Sequence, residues 1–204
     1  MVRLRHGLRA AAFCAALVTI FFATPVVEQA RAGVPPASGR ATATDGWIVA
    51  EADLLSGRLL TVSCVANAAD WASAVESAGL APARHGTEYY GLSIIAAGAM
   101  YLSPYVCEGL RLGRKATTRD ADALQVAWSV NVLIHESMHM GLHTFDEALA
   151  EACARVGLPI ELHRLFGISY RSPELRRLTL AAALLRDTMD AEYKNGTCTA
   201  PDAG

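Results

Sequence analysis

The chain has 204 residues, of which 52% are hydrophobic and 19% charged, the composition of a globular domain and not of a disordered tail. Its formal net charge is -2, and outside the extreme N-terminus there is no Lys/Arg run and no interleaving of basic and aromatic residues. That balance argues against a nucleic-acid partner, because nothing gathers phosphates.

Arg3, Arg5 and Arg9 form a positive leader, Ala10 to Val27 is an almost unbroken apolar run, and Ala30-Arg31-Ala32 supplies a small-x-small cleavage site. Residues 1–32 therefore read as a signal peptide cut after Ala32, giving a secreted protein with no stable membrane contact. The alternative is an uncleaved membrane anchor, since eighteen apolar residues approach the ~20 that span a bilayer. After cleavage four cysteines remain, Cys64, Cys107, Cys153 and Cys198. An even number in an exported chain implies two disulfides, with all three pairings open. No two of them have the close spacing of a structural zinc site.

Residues 33–46, rich in Pro, Ala, Ser, Thr and Gly, read as a linker, so the folded domain is expected over 47–204. Trp47 to Cys64 reads as strands joined at Ser56-Gly57, and Asp70 to Ala78 as a short helix. Residues 87–102 read as two strands broken near Gly98, followed by a helix start at Ser103-Pro104. A helix is expected from about Thr118, with Asp120 and Asp122 at its positive end, to Met140, with Gly141 as its left-handed cap. Another is expected from Thr144 to Val156, closed by Gly157 and Pro159. A last one opens at Ser172-Pro173-Glu174 and carries Leu175, Leu178, Ala182 and Leu185 at helical spacing. The fold class is α+β, a small antiparallel sheet packed on a mainly helical half.

The chemistry is concentrated in His135-Glu136-Ser137-Met138-His139, a His-Glu-x-x-His sequence. At 3.6 residues per turn, His135 and His139 lie one turn apart on one helix face and can address a single ion. Glu136 is offset from that face, placed to act on a metal-bound water without ligating. Trp128 and Val132 continue the same stripe, which puts both imidazoles on the core side. Unpaired they would be costly there, although two core histidines satisfied by other partners are the plain alternative. His85 and His163 read as ordinary surface or core residues.

A catalytic zinc takes three protein ligands. His143 is one candidate for the third, but in the extended pattern His-Glu-x-x-His-x-x-Gly-x-x-His the glycine and last histidine come later than Gly141 and His143 do. Glu147 is the better candidate, because Asp146-Glu147-Ala148 opens a second helix after a tight turn and antiparallel neighbours can share an ion. Glu151, one turn on, can support the second nitrogen of a ligating histidine. Against this, Thr144-Phe145-Asp146-Glu147 also reads as a capping box, in which Glu147 satisfies the helix start.

His135-Glu136-x-x-His139 followed by Glu147-x-x-x-Glu151 resembles the gluzincin peptidases, whose second helix carries Glu-x-x-x-Asp. The stretch over residues 124–154 also resembles secreted bacterial proteins with a His-Glu-x-x-His helix and a following Asp-Glu-Ala segment. The resemblance implies a minimal zincin-like catalytic domain with Zn2+ held by His135, His139 and Glu147. It implies Glu136 as the general base that takes a proton from the zinc-bound water, and a peptide or protein as substrate. Two departures stand out: Glu151 replaces Asp, and only seven residues separate His139 from Glu147. Tyr170, Arg171 and Tyr193 are candidates for a donor to the substrate carbonyl, and the strand ending at Tyr101-Leu102 for pairing with an extended substrate. Three other readings are open. They are a non-catalytic extracellular binding protein stabilised by zinc, a small membrane-anchored scaffold, and a hydrolase of non-peptide amides or esters.

Overall fold

The structure, a computed structural model, describes residues 41–42, 44–80, 90–115, 122–189 and 191–198. The expected signal peptide, most of the expected linker, His85, residues 87–89, Thr118 and Asp120 lie outside these.

The described chain is α+β and mostly helical. Its elements are β1 (Ala41–Thr42), α1 (Gly46–Ser56), β2 (Thr61–Val65), α2 (Ala68–Ser77), β3 (Gly91–Ile94), β4 (Ala99–Leu102), α3 (Pro104–Arg114), α4 (Ala123–Leu142), α5 (Glu147–Phe166) and α6 (Pro173–Arg186). Short 3-10 turns cover Ile95–Ala97 and Ala191–Tyr193. The sheet order is β1-β2-β4-β3. It is mixed where an antiparallel sheet was expected. β3 and β4 form a hairpin through Gly98, whose φ of 61° closes the turn, and β1 is antiparallel to β2. β2 runs parallel to β4 because the chain leaves β2 through α2 and re-enters the sheet at β3, on the far side of β4.

Residues 46–56 form a helix instead of the expected strand. Ile48 and Ala52, one turn apart, are fully buried with Glu51 and Ser56 beside them, and Gly57 at φ 67° caps the end. The short apolar runs around Ser56-Gly57 suggested strands, but the burial over 46–56 has helical period. The expected linker is also shorter: β1 already belongs to the sheet, Thr44 Oγ1 accepts from the Cys64 amide at 2.9 Å, and Asp45 pairs with Arg111 at 2.7 Å.

α4 is the centre of the molecule, with α1, α3, α5, α6 and β3 all packed against it. Fifteen of its twenty residues are buried, so it is enclosed on every face and not along one stripe. Ser103 caps α3 by accepting from the Val106 amide, and Ser172 caps α6 by accepting from Leu175, as their sequences imply. On α6, Leu175, Leu178 and Ala182 are buried and Leu185 packs beside them.

Two helix ends differ from expectation. α4 runs through Gly141 and is capped by His143, at φ 52° ψ 42°. Gly141 is inside the helix because α1 ends against it: a Cβ there would stand 2.8 Å from the Ser56 carbonyl oxygen. α5 continues past Gly157 and Pro159 to a Gly167 cap. Pro159 forgoes one hydrogen bond, to the carbonyl of exposed Arg155, while Ala154, Leu158 and Leu162 fix the helix in the core. Arg164 binds α5 to α1 by pairing with Glu161 at 2.6 Å and with buried Glu51.

The disulfides are Cys64–Cys107, joining β2 to α3, and Cys153–Cys198, joining α5 to the C-terminal segment. They fit an oxidising compartment. No helix among the described residues is long and apolar enough to cross a membrane.

The two helical glycines separate close approach from simple flexibility. Gly141→Ala is expected to lower the free energy of unfolding by about 1–3 kcal/mol, since backbone must move. At Gly157 a Cβ would make ordinary contact with Ile134 at 3.4 Å, so Gly157→Ala is expected to be neutral or to stabilise by about 0.5 kcal/mol. Urea unfolding of both variants checks the pair; equal destabilisation would show that the α1–α4 contact is not tight.

Candidate metal centre

The α4–α5 turn places every ligand candidate. His143 reverses the chain in the left-handed conformation, its amide hydrogen-bonded to the His139 carbonyl. Thr144 Oγ1 then accepts from the Asp146 amide at 3.0 Å, and Asp146 caps α5 by accepting from the Leu149 amide at 2.9 Å. The cap is thus Asp146, not Thr144, and Glu147 is the first residue of the helix. The capping-box reading of Glu147 does not describe it. Its side chain turns back to the histidines.

The structure brings His135, His139 and Glu147 together as a group that can hold a metal ion. His135 Nε2 lies 2.9 Å from Glu147 Oε2, His139 Nε2 3.3 Å from the same oxygen, and the two Nε2 atoms 3.0 Å from each other. Two atoms bonded to one zinc at ~2.05 Å with a tetrahedral angle would stand about 3.3 Å apart, so the triangle is close to a ligand set. Both rings are buried and Glu147 is half-exposed, which leaves the cluster open to solvent on the carboxylate side.

Each ring is fixed from behind. His139 Nδ1 lies 2.8 Å from the Thr144 carbonyl oxygen. A carbonyl only accepts, so Nδ1 carries the proton and neutral His139 presents the lone pair of Nε2 to the cluster. His135 Nδ1 faces Glu151 Oε2 at 3.4 Å, and that oxygen accepts from Asn131 Nδ2 at 3.0 Å. Asn131, Glu151 and His135 form a buried relay that orients the ring.

The charges of the cluster act strongly on one another. Burial works against a charged His135, but hydrogen bonds to Glu147 and Glu151 and the charges of Glu136 and Glu147 outweigh it and raise its pKa to about 10. His139 is opposed by burial in the same way and is also raised, chiefly by its hydrogen bond to Glu147. For Glu147, burial is outweighed by the two histidines, which lower it to about 2. Positive charge at the centre of the cluster is therefore favoured, whether protons or a metal ion supply it.

Glu136 stands apart from the three ligand atoms. Its carboxylate is buried against β3, where Ser93 Oγ donates to Oε2 at 2.8 Å, yet its charge acts on both rings. His143 is exposed and closes α4; Glu151 is buried behind His135. The Tyr193 ring lies 6.0 Å from the His135 ring. Tyr170 instead stacks on His163 at 4.3 Å, and Arg171 follows it in the same turn. His163 is sixteen residues beyond Glu147 on α5, so Tyr170 and Arg171 belong to a region about 24 Å from the cluster. Asn131, Ser93 and the Thr144 carbonyl were not among the candidates from sequence. Asn131 precedes His135 by one turn, a readable signal, whereas Ser93 lies 43 residues away on a strand and gave none.

No family model, no curated protein and no solved structure matches the chain.

The shifts set a pH dependence for metal-free protein. The raised His135 stabilises the fold fully below the ordinary value of 6.5 and loses that contribution as pH rises to about 10. The lowered Glu147 stabilises it fully above 4.5 and loses that contribution as pH falls toward about 2. In the presence of chelator, the melting temperature is expected to fall between pH 7 and pH 10 by more than in Glu147→Gln. Identical slopes in the two proteins would show that the cluster is not coupled to folding.

Proposed function

We propose that this chain is an exported zinc-dependent hydrolase, and specifically a peptidase. One observation carries the reading: two imidazole nitrogens and a carboxylate oxygen, all acceptors when the histidines are neutral, converge within 3.3 Å on adjacent helices. Such a set is unfavourable without a cation at its centre, and nitrogen–oxygen donors at this spacing suit zinc. The apolar leader with its Ala-x-Ala site and the two disulfides support export.

His135, His139 and Glu147 would hold the ion. When bound, it would supply an acidified water and a polarised carbonyl. Glu136, next to the ligands but not among them, would take the proton of the attacking water and pass it to the leaving group. The relay from Asn131 and the Thr144 carbonyl keep both rings oriented. β4 does not offer an edge to a substrate, because β2 and β3 flank it. β3 ends the sheet and lies against α4, so an extended peptide would add to β3.

Metal analysis of the purified mature protein is expected to find one zinc per chain, retained in Glu136→Gln and lost in His139→Ala. Digestion of a broad peptide library is expected to fall by about 10²- to 10⁴-fold in Glu136→Gln. Wild-type cleavage undiminished in that variant would sink the hydrolase reading. Zinc retained with no cleavage of any peptide would leave a zinc-stabilised binding protein.

A further inference from the structure

A carboxylate one residue from a metal ligand has an obvious alternative to acting as a base, which is to ligate the ion itself. In this structure the Glu136 side chain is instead engaged by β3. A Cβ on Gly91 would stand 2.5 Å from both Cγ and Oε1 of Glu136, so the glutamate side chain runs through space that any other residue would fill. Two residues on, and therefore on the same strand face, Ser93 Oγ lies 2.8 Å from Glu136 Oε2 and 3.0 Å from the Glu136 carbonyl oxygen. A hydroxyl has one proton to give, and the carboxylate is the stronger acceptor.

Neither residue is suited to a strand for its own sake. Glycine weakens a strand and serine adds little to its packing. Their common property is what they do to Glu136: one makes room and the other tethers.

We propose that Gly91 and Ser93 are positioning residues that hold the Glu136 carboxylate beside the metal centre and off the metal. This rests on the metal reading of His135, His139 and Glu147. The physical need is plain. A carboxylate bonded to the ion has given up the electron pair with which it would accept a proton, and it blocks the position that a water or substrate must take. Ser93 opposes that collapse with a hydrogen bond, and β3 brings it to the site because it packs directly on α4.

The test compares wild type, Ser93→Ala, Ser93→Thr and the double variant Ser93→Ala/Glu136→Ala, each loaded with Co2+ in place of zinc. Visible spectra report the ligand set and chelator competition reports affinity. Ser93→Ala is expected to shift the bands and to bind the ion about tenfold more tightly, the scale on which single outer-shell changes move metal affinity. Ser93→Thr keeps the hydroxyl and is expected to match wild type. The double variant is expected to return to the wild-type spectrum, because the intruding ligand is gone. Unchanged spectrum and affinity in Ser93→Ala would overturn the proposal, as would equal weakening in Ser93→Ala and Ser93→Thr, which is the result of a packing role. A wild type that takes up no Co2+ overturns both this and the metal reading. A wild type that binds Co2+ yet cleaves nothing sinks only the hydrolase reading, and the spectra still decide the tether.

Discussion

A helix enclosed on all sides is under pressure to find partners for the polar groups it carries, and α4 carries many. Ser129, Asn131, His135, Glu136, Ser137 and His139 are all buried along it. Leaving such groups unpaired costs on the order of 1–3 kcal/mol each, so the elements around α4 are constrained to answer them. Ser137 satisfies itself by donating to the Leu133 carbonyl at 2.7 Å. Four others draw partners from outside: α5 sends Glu151 to Asn131 and His135 and Glu147 to both histidines, β3 sends Ser93 to Glu136, and the α4–α5 turn sends the Thr144 carbonyl to His139, while Ser129 Oγ and Trp128 Nε1 are buried without a hydrogen-bond partner among the described residues. Polar satisfaction of one helix therefore determines much of what surrounds it.

The same constraint explains the electrostatic imbalance at the centre of the molecule. Each nitrogen facing away from the cluster has a protein partner, and among the described residues the two facing inward meet each other and Glu147. Protons on the histidines can relieve the conflict, as their raised pKa values show, but a divalent ion relieves it without placing two cationic rings side by side. An ion held there would complete a polar interior that the fold has already arranged.

Much of this was legible in the sequence wherever a single local signal dominated. Ser103-Pro104 and Ser172-Pro173 start helices because a serine cap and a following proline suit that position and no other nearby. His135 and His139 share a face by periodicity alone, and Glu147 reaches them because the connecting turn is short. Where local and tertiary preferences disagree, the sequence misleads. The apolar run before Ser56-Gly57 reads as a strand yet belongs to a helix that buries Ile48 and Ala52. Gly157 and Pro159 look like a helix end, but packing on α4 carries α5 through them. Gly141 resembles a cap and is instead a contact surface for α1. The Ser93–Glu136 bond was invisible because it depends on strand order, which no short window encodes.

The small separation between His139 and Glu147 leaves no room for an inserted segment beside the cluster, so what flanks it comes from elsewhere. β3 lies on one side. On another side the C-terminal segment crosses α5 so closely that a Cβ on Gly196 would overlap the Ala148 carbonyl, and it carries Tyr193 to within 6.0 Å of the His135 ring. The Cys153–Cys198 bond holds this segment to α5, and Cys64–Cys107 holds the sheet to α3. By loop-closure entropy, crosslinks spanning 43 and 45 residues each destabilise the unfolded chain by about 4 kcal/mol. Their placement matters as much as their magnitude. One secures the sheet that carries Gly91 and Ser93, and the other secures the segment beside His135. Elements on both flanks of the cluster are therefore covalently anchored to the helical core.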